Sequence, residues 1–351
     1  MNASERLRAM VEKKPFDKVG ASAWWHLPVV DRYAEKFAKE TIRFTDLNQW
    51  DFIKVMHNPH LFAEAYGADI EYLEDPKEWA GIIHRYPIKT SDDLAKLPLL
   101  DVEKNTAFAR EVAVVKRLAE HYKGTVPVIP TLFTPITWVQ EMTHSTVPVE
   151  TLDFIHNHKK ELHRALDTLL EVNLRFIDAF ITAGADGFFI ASQYGVTKFG
   201  DTLFSDSEFD EFEFPFVKAM VDHLKKNTWF NLLHVHGDRN LRIEKFLDLD
   251  VQAINWENTH PQIPASELLS IERVRSLTDK IIIGGVDKGS CFGGPLAKVR
   301  DRLKNFLEKA LRETKDNRLI LAPGCALELG VHEKSLAVLR EVVDEFGLVG
   351  A

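Results

Sequence analysis

The sequence predicts a single (β/α)8 barrel, on three observations. After Gly124, short apolar runs alternate with longer helical stretches, so successive strands must pair in parallel through crossovers. The runs are apolar almost throughout, as strands are when both sheet faces are covered. Together with two earlier runs they number about eight, which favours closure over an open sheet. An open doubly wound sheet is the second choice; no Gly-x-Gly-x-x-Gly follows the first run. No internal repeat, low-complexity tract or linker divides the chain, so residues 1–351 read as one domain with a helical N-terminal extension.

Taken in order, residues 5–12 carry a short amphipathic helical pattern, and 19–25 form an apolar stretch expected to be the first strand. Residues 28–90 have the least regular period. Helical segments are expected at 28–40, 47–57 and 59–66, with an extended piece at 69–72. A second strand near 51–56 would complete the count. Ser91 is expected to cap a helical turn by accepting from backbone N–H groups that follow it. Beyond the helix at 107–122 come strands at 126–133, 187–192, 229–236, 251–256, 280–286 and 319–321. Helices at 149–183, 208–226, 241–247, 296–309 and 334–346 lie between or after them.

The 351 residues are 45% hydrophobic and 28% charged, the composition of a soluble globular protein. No run approaches the roughly 18 apolar residues of a membrane span, and the first residues lack the apolar core of a signal peptide. A cytoplasmic protein is expected, with no membrane association. A net charge of -9 disfavours a nucleic-acid footprint. The two cysteines, Cys291 and Cys325, follow apolar runs and suit a reduced thiol or a metal ligand better than a disulfide.

Asn231-Leu-Leu-His-Val-His-Gly-Asp238 is the stretch that carries chemistry. In an extended chain His234 and His236 point to the same face, a bidentate clip for a metal, with Cys325 the nearest third ligand of matching softness. Such a set favours zinc or cobalt over magnesium or calcium. A His-x-His pair is equally compatible with two hydrogen-bonded strand-end residues. In a barrel the working face lies at the C-terminal strand ends. Delivered there are Trp24, Trp25 and His26; Trp138, Glu141 and His144; Ser192 and Tyr194; Glu257; and Glu328. Asp238 and Asp287 read equally well as caps of the helices that follow.

From about residue 15 onward the chain resembles the uroporphyrinogen decarboxylase superfamily, which also contains zinc-dependent corrinoid methyltransferases. The matching stretches are Ala183-Gly-Ala-Asp-Gly-Phe-Phe-Ile-Ala-Ser192, the strand before His234, Gly284-Gly-Val-Asp287 and Leu321-Ala-Pro-Gly-Cys325. The decarboxylase branch has Arg-Gln-Ala-Gly-Arg after its first strand, where this chain has Trp25-His26-Leu27-Pro28-Val29. Two aromatic rings cannot replace guanidinium forks that hold carboxylates. The family's aspartate falls near Asn58, its tyrosine near Glu141 and its late histidine near Cys325, and only the serine is kept, as Ser192.

The methyltransferase branch is the nearer resemblance. Its members bind zinc through His-x-Cys after the fifth strand and a cysteine after the eighth, which implies His234, His236 and Cys325 as ligands here. One thiolate is replaced by imidazole, so the implied zinc site carries a net positive charge and is a stronger Lewis acid. It suits an ether, alcohol or phenol oxygen. The flat surfaces of Trp24, Trp25, Trp138 and Tyr194 suggest an aryl methyl ether, with His26, Asn58 and Ser192 as further substrate contacts. Co(I) of a corrinoid (cobalamin) would take the methyl group, and Glu141 or His144 would protonate the departing phenolate. Glu328 or Glu257 would supply a fourth ligand or orient a histidine.

The chain lacks the Asp-x-His-x-x-Gly segment of corrinoid carriers, so the corrinoid would arrive on a transient partner protein, besides a small aromatic or one-carbon substrate and a homodimer mate. Other readings are methyl transfer from a methylcorrinoid to a thiol, decarboxylation of an unusual porphyrinogen, and a non-catalytic zinc or tetrapyrrole binding protein.

Overall fold

The computed structural model describes residues 1–75, 77, 81–143, 148–225 and 227–348. Its centre is an eight-stranded, curled, wholly parallel sheet. The strands are β1 (Gly20–Ala21), β2 (Ile53–Val55), β3 (Val128–Phe133), β4 (Phe189–Ser192), β5 (Leu232–Val235), β6 (Ala253–Trp256), β7 (Ile281–Val286) and β8 (Leu319–Pro323). Each lies beside its neighbour in sequence, and β8 pairs with β1 through Gly20–Ile320 and Ala21–Leu321. β1 and β2 share no ladder, yet Asp51 N donates to Ala21 O at 2.9 Å and Ser22 Oγ to Phe52 O at 3.0 Å.

Asp51 ties that edge together. Its carboxylate accepts from Ala21 N at 2.7 Å and pairs with Arg6 and Arg340. Arg6 lies on helix Ala3–Val11 and Arg340 on the last helix, Glu333–Phe346. All three side chains are buried, so losing one leaves an uncompensated charge in the interior.

Alternation along the strands divides the apolar residues into two layers. Trp24, Phe52, Met56, Phe189, Leu232 and Ile320 belong to an inner cluster, which Leu7 and Met10 of the N-terminal helix join. That helix covers the N-terminal end of the strands, with Ser4 N bonded to Thr125 O just before β3. Asn2 and Glu5 form its capping box. The larger outer cluster packs between the sheet and the surrounding helices. Among the described residues no helix is long and apolar enough to cross a membrane.

Most expected elements are present; several differ. The helix expected at 47–57 is instead the end of helix Ala34–Asn48, then left-handed Gln49, then β2. Ile53 and Val55, both β-branched, favour the strand. The helix expected from 28 starts at 34, because Val29 sits at φ 70 in a tight turn after Pro28. Helix 149–183 is two, Val149–Asn157 and Lys159–Thr182, broken at the non-helical His158. Helix 208–226 is likewise Asp206–Phe212 followed by Phe214–Leu224, with Pro215 in the first turn of the second. Residues 241–247 hold only the 3-10 turn Ile243–Phe246. The cap ahead of Ser91 is Thr90, whose hydroxyl accepts from Asp93 N. The extended piece Asp69–Glu71 pairs with Ile82–Arg85 as a hairpin.

Candidate metal centre

β5 delivers His234 on its inward face, and Gly237 at φ 123 turns the chain away directly beyond His236. His236 N donates to Ser192 O at 2.9 Å, fixing that turn against the end of β4. Cys325 stands two residues past the end of β8. His234 Nε2 is 3.4 Å from His236 Nδ1, and Cys325 Sγ is 3.9 Å from the same nitrogen. All three ligand atoms lie within 4.8 Å of one another. His234 is buried, Cys325 half-buried and His236 exposed, so the cluster opens toward solvent on one side.

The spacing fits zinc. Tetrahedral bonds of the usual lengths put two nitrogens about 3.4 Å apart and a nitrogen and a sulfur about 3.6 Å apart. The donor orientation fits as well. His234 Nδ1 lies 2.6 Å from Asn255 Oδ1, while the amide nitrogen of Asn255 donates to Ile283 O at 2.9 Å and Pro323 O at 3.3 Å. With its NH2 committed to two carbonyls, Asn255 presents oxygen to His234, which holds the proton on Nδ1 and frees Nε2 to ligate.

Electrostatics point the same way. Burial opposes ionisation of Cys325, but hydrogen bonds and charge from His234 and His236 outweigh it and hold the thiol well below its ordinary value. Desolvation inside the cluster opposes charge on His236, and the hydrogen bond and charge of Cys325 overcome it and raise the imidazole. A thiol whose ionised form is favoured is what a metal requires.

Glu257 and Glu328 do not enter the cluster. Glu257 is buried and accepts from Lys288 Nζ at 2.6 Å. Glu328 is exposed beside Gly289, where a Cβ would meet its carboxylate at 2.5 Å. Glu141 is half-buried on helix Pro135–Thr143, and burial pushes its carboxyl up to about 8. His144 lies outside the described residues.

The expected aromatic platform does not assemble. Trp24 is inside the sheet, edge-on to Phe189 at 5.4 Å and 2% exposed. Trp25 points the opposite way and stacks on Phe44 at 4.7 Å, because adjacent residues of an extended chain take opposite faces. Trp138 stacks on Phe62 at 4.0 Å in the outer core. Tyr194 is fully buried, its hydroxyl donating to Gln140 Oε1 at 2.8 Å. Ser192 faces the outer layer and donates to Glu213 Oε1. Asn58 donates to Asp31 Oδ2 at 3.2 Å and accepts from His60 N at 2.9 Å. Trp138, Ser192 and Tyr194 are fully buried and pack within the protein rather than facing a substrate, while Trp25 stays half-buried against Phe44. His26 is half-buried, and burial, with the Lys54 and His57 charges, pushes its imidazole down to about 3.

Two residues that the sequence reading passed over now stand beside the centre. Asn255 is a polar residue inside the apolar run of β6, and Lys54 occupies the inward position between Phe52 and Met56. A polar side chain at a position where alternation demands an apolar one was the available signal in both cases.

Fold and site together define a parallel α/β protein with a thiol and two imidazoles gathered at the strand ends. A family model described as uroporphyrinogen decarboxylase matches residues 25–346, and the chain belongs to that family. A curated uroporphyrinogen decarboxylase from Psychrobacter arcticus is 23% identical over 296 residues, covering 81% of this chain and 74% of its own. Among solved structures, a methyltransferase from Methanosarcina mazei superposes with a TM-score of 0.78 at 20% identity, covering 99% of both chains. A B12-independent methionine synthase from Shewanella sp. W3-18-1 gives 0.56 at 13% identity, covering 93% of this chain and 98% of that one. At these identities the superpositions speak for the fold alone.

Proposed function

We propose that this chain is a single (β/α)8 domain that acts as a zinc-dependent methyltransferase, moving a methyl group from the oxygen of a methyl ether to the cobalt of a corrinoid carried on a separate protein. The observation that carries the reading is the triad of His234, His236 and Cys325, with His234 oriented by Asn255. These three residues would hold the ion, which when bound supplies a positively charged Lewis acid for the oxygen that loses its methyl group. A likeness in fold to the Methanosarcina methyltransferase supports the same reading.

The chain's own residues would do the rest. Asn255 keeps His234 in one tautomer and one rotamer. Glu141, whose carboxyl burial pushes up to about 8, is the acid proposed to give a proton to the departing oxygen. With Trp138 and Tyr194 buried in the core and Trp25 packed on Phe44, the aryl part of the ether has lost most of its support, and the reading rests on oxygen as the leaving atom.

The test follows cobalt directly. Zinc-loaded protein, a methyl ether and a reduced corrinoid carrier are expected to convert Co(I) to methyl-Co(III), seen by absorbance, and to release the demethylated alcohol or phenol. Methyl-cobalt formation from a methyl thioether but from no ether would contradict the reading. Zinc-independent release of carbon dioxide from a porphyrinogen would return the decarboxylase in its place.

A further inference from the structure

Among the described residues Lys54 is a buried amine with no oxygen partner, and burial pushes it down to about 7, so an anion beside it would restore its charge. It projects from β2 into the curled sheet, 8% exposed. Its ammonium meets the sulfur of Met56, the face of Phe189 at 4.3 Å and the ring of Trp24 at 5.9 Å. A thioether is a weak acceptor, and ring faces attract a cation without replacing its hydration. Among the described residues no carboxylate pairs with it.

The polar groups nearby are already committed. Thr131 Oγ1, on the neighbouring strand, donates to Val55 O, Asn255 spends its amide on His234 and two carbonyls, and the His26 imidazole, which the Lys54 charge acts on, brings no negative charge. The resident charge that acts on Lys54 is the Cys325 thiolate, which opposes the effect of burial. In a metal-loaded site that thiolate serves the metal. Lys54 is then left beside a site of net positive charge with nothing of its own to balance it.

Its position is also close to the reaction. Phe189, which Lys54 covers, has its ring 5.3 Å from that of His234. A costly group kept where an apolar side chain would pack better calls for a ligand that completes it.

We propose that Lys54 anchors an anionic group of the substrate inside the sheet, so that the methyl donor carries a carboxylate or a comparable single negative charge. The methyl-transfer part of this statement rests on the function proposed above; the anion rests on the surroundings of Lys54 alone. One lysine suits one charge, which separates such a donor from a polycarboxylate held by several guanidinium forks.

The experiment is calorimetric titration of the zinc-loaded protein with 4-methoxybenzoate and with its neutral isostere 4-methoxybenzamide. The carboxylate is expected to bind at least about tenfold tighter, as one charge-assisted hydrogen bond provides. Lys54→Met is expected to erase that preference, keep its zinc, and melt no lower than the parent, because it removes an unpaired buried amine. Equal affinity for the two ligands, no binding of the carboxylate, or an unchanged preference in Lys54→Met would overturn the proposal. So would loss of zinc together with a lower melting temperature in Lys54→Met, which would make Lys54 a counter-ion of Cys325. A parent that takes up no zinc yet still prefers the carboxylate would sink the methyl-transfer reading and leave the anchor standing.

Discussion

Asn255 Oδ1 accepts a 2.6 Å hydrogen bond from His234 Nδ1, and the same amide hands its two protons to the carbonyls of Ile283 and Pro323. Three strands thereby agree on the orientation of one imidazole. Groups that orient a metal-binding histidine typically contribute 10–100-fold to affinity. Asn255→Ala is expected to lose zinc affinity by about that factor, measured by competition with a chromophoric chelator. Unchanged affinity would mean that His234 is held by packing alone.

Replacing His236 by cysteine would make the zinc site formally neutral. His236→Cys is expected to keep one zinc per chain while demethylating an ether at least about tenfold more slowly, since a weaker Lewis acid stabilises a departing oxygen less. The comparison is of kcat/KM at equal zinc loading. Equal ether turnover would remove charge from the account.

Trp25 stacks on Phe44 in the layer between sheet and helices, so its loss is a loss of packing. Trp25→Ala is expected to destabilise the fold by about 2 kcal/mol, below the usual range for a fully buried aromatic because Trp25 is half-buried, and to leave KM for the donor within about twofold. Chemical denaturation and steady-state kinetics on the same sample decide it. A raised KM with unchanged stability would restore Trp25 to the substrate pocket.

The aromatic residues show where the sequence ceases to be readable. The rhythm of apolar runs announces a parallel sheet, and His234, His236 and Cys325 are legible because strand alternation and ligand softness restrict what they can do. Trp24 and Trp25 are adjacent, and alternation alone forbids them one face; that signal was present and unused. Trp138 and Tyr194 are different. Their partners Phe62, Phe108 and Gln140 come from other elements, so only tertiary packing fixes which way they turn. Lys54 could have been found by asking why a charge occupies the inward position between Phe52 and Met56.

Glu213 gives the fold a pH dependence of known sign. It is fully buried and bonded to Ser192 through Oε1, and burial outweighs the hydrogen bonds of Ser192 and Thr134 and pushes its carboxyl up to about 7 from an ordinary 4.5. The folded state therefore binds more protons than the unfolded state between those values, and stability falls as pH rises from about 4.5 to about 7. The loss is on the order of 3 kcal/mol. Glu213→Gln is expected to flatten that interval in denaturation curves taken across it. An identical slope in the variant would show that another group titrates there.

The central claim is that three side chains from two strand ends hold one zinc ion. Elemental analysis of protein purified without chelator, compared with His234→Ala and Cys325→Ala, tests it most directly. About one zinc per chain in the parent and little in either variant is the expected result, because loss of one of three protein ligands leaves a site too weak to survive purification. A parent without zinc, or variants that retain the parent's full content, would contradict the account at its base.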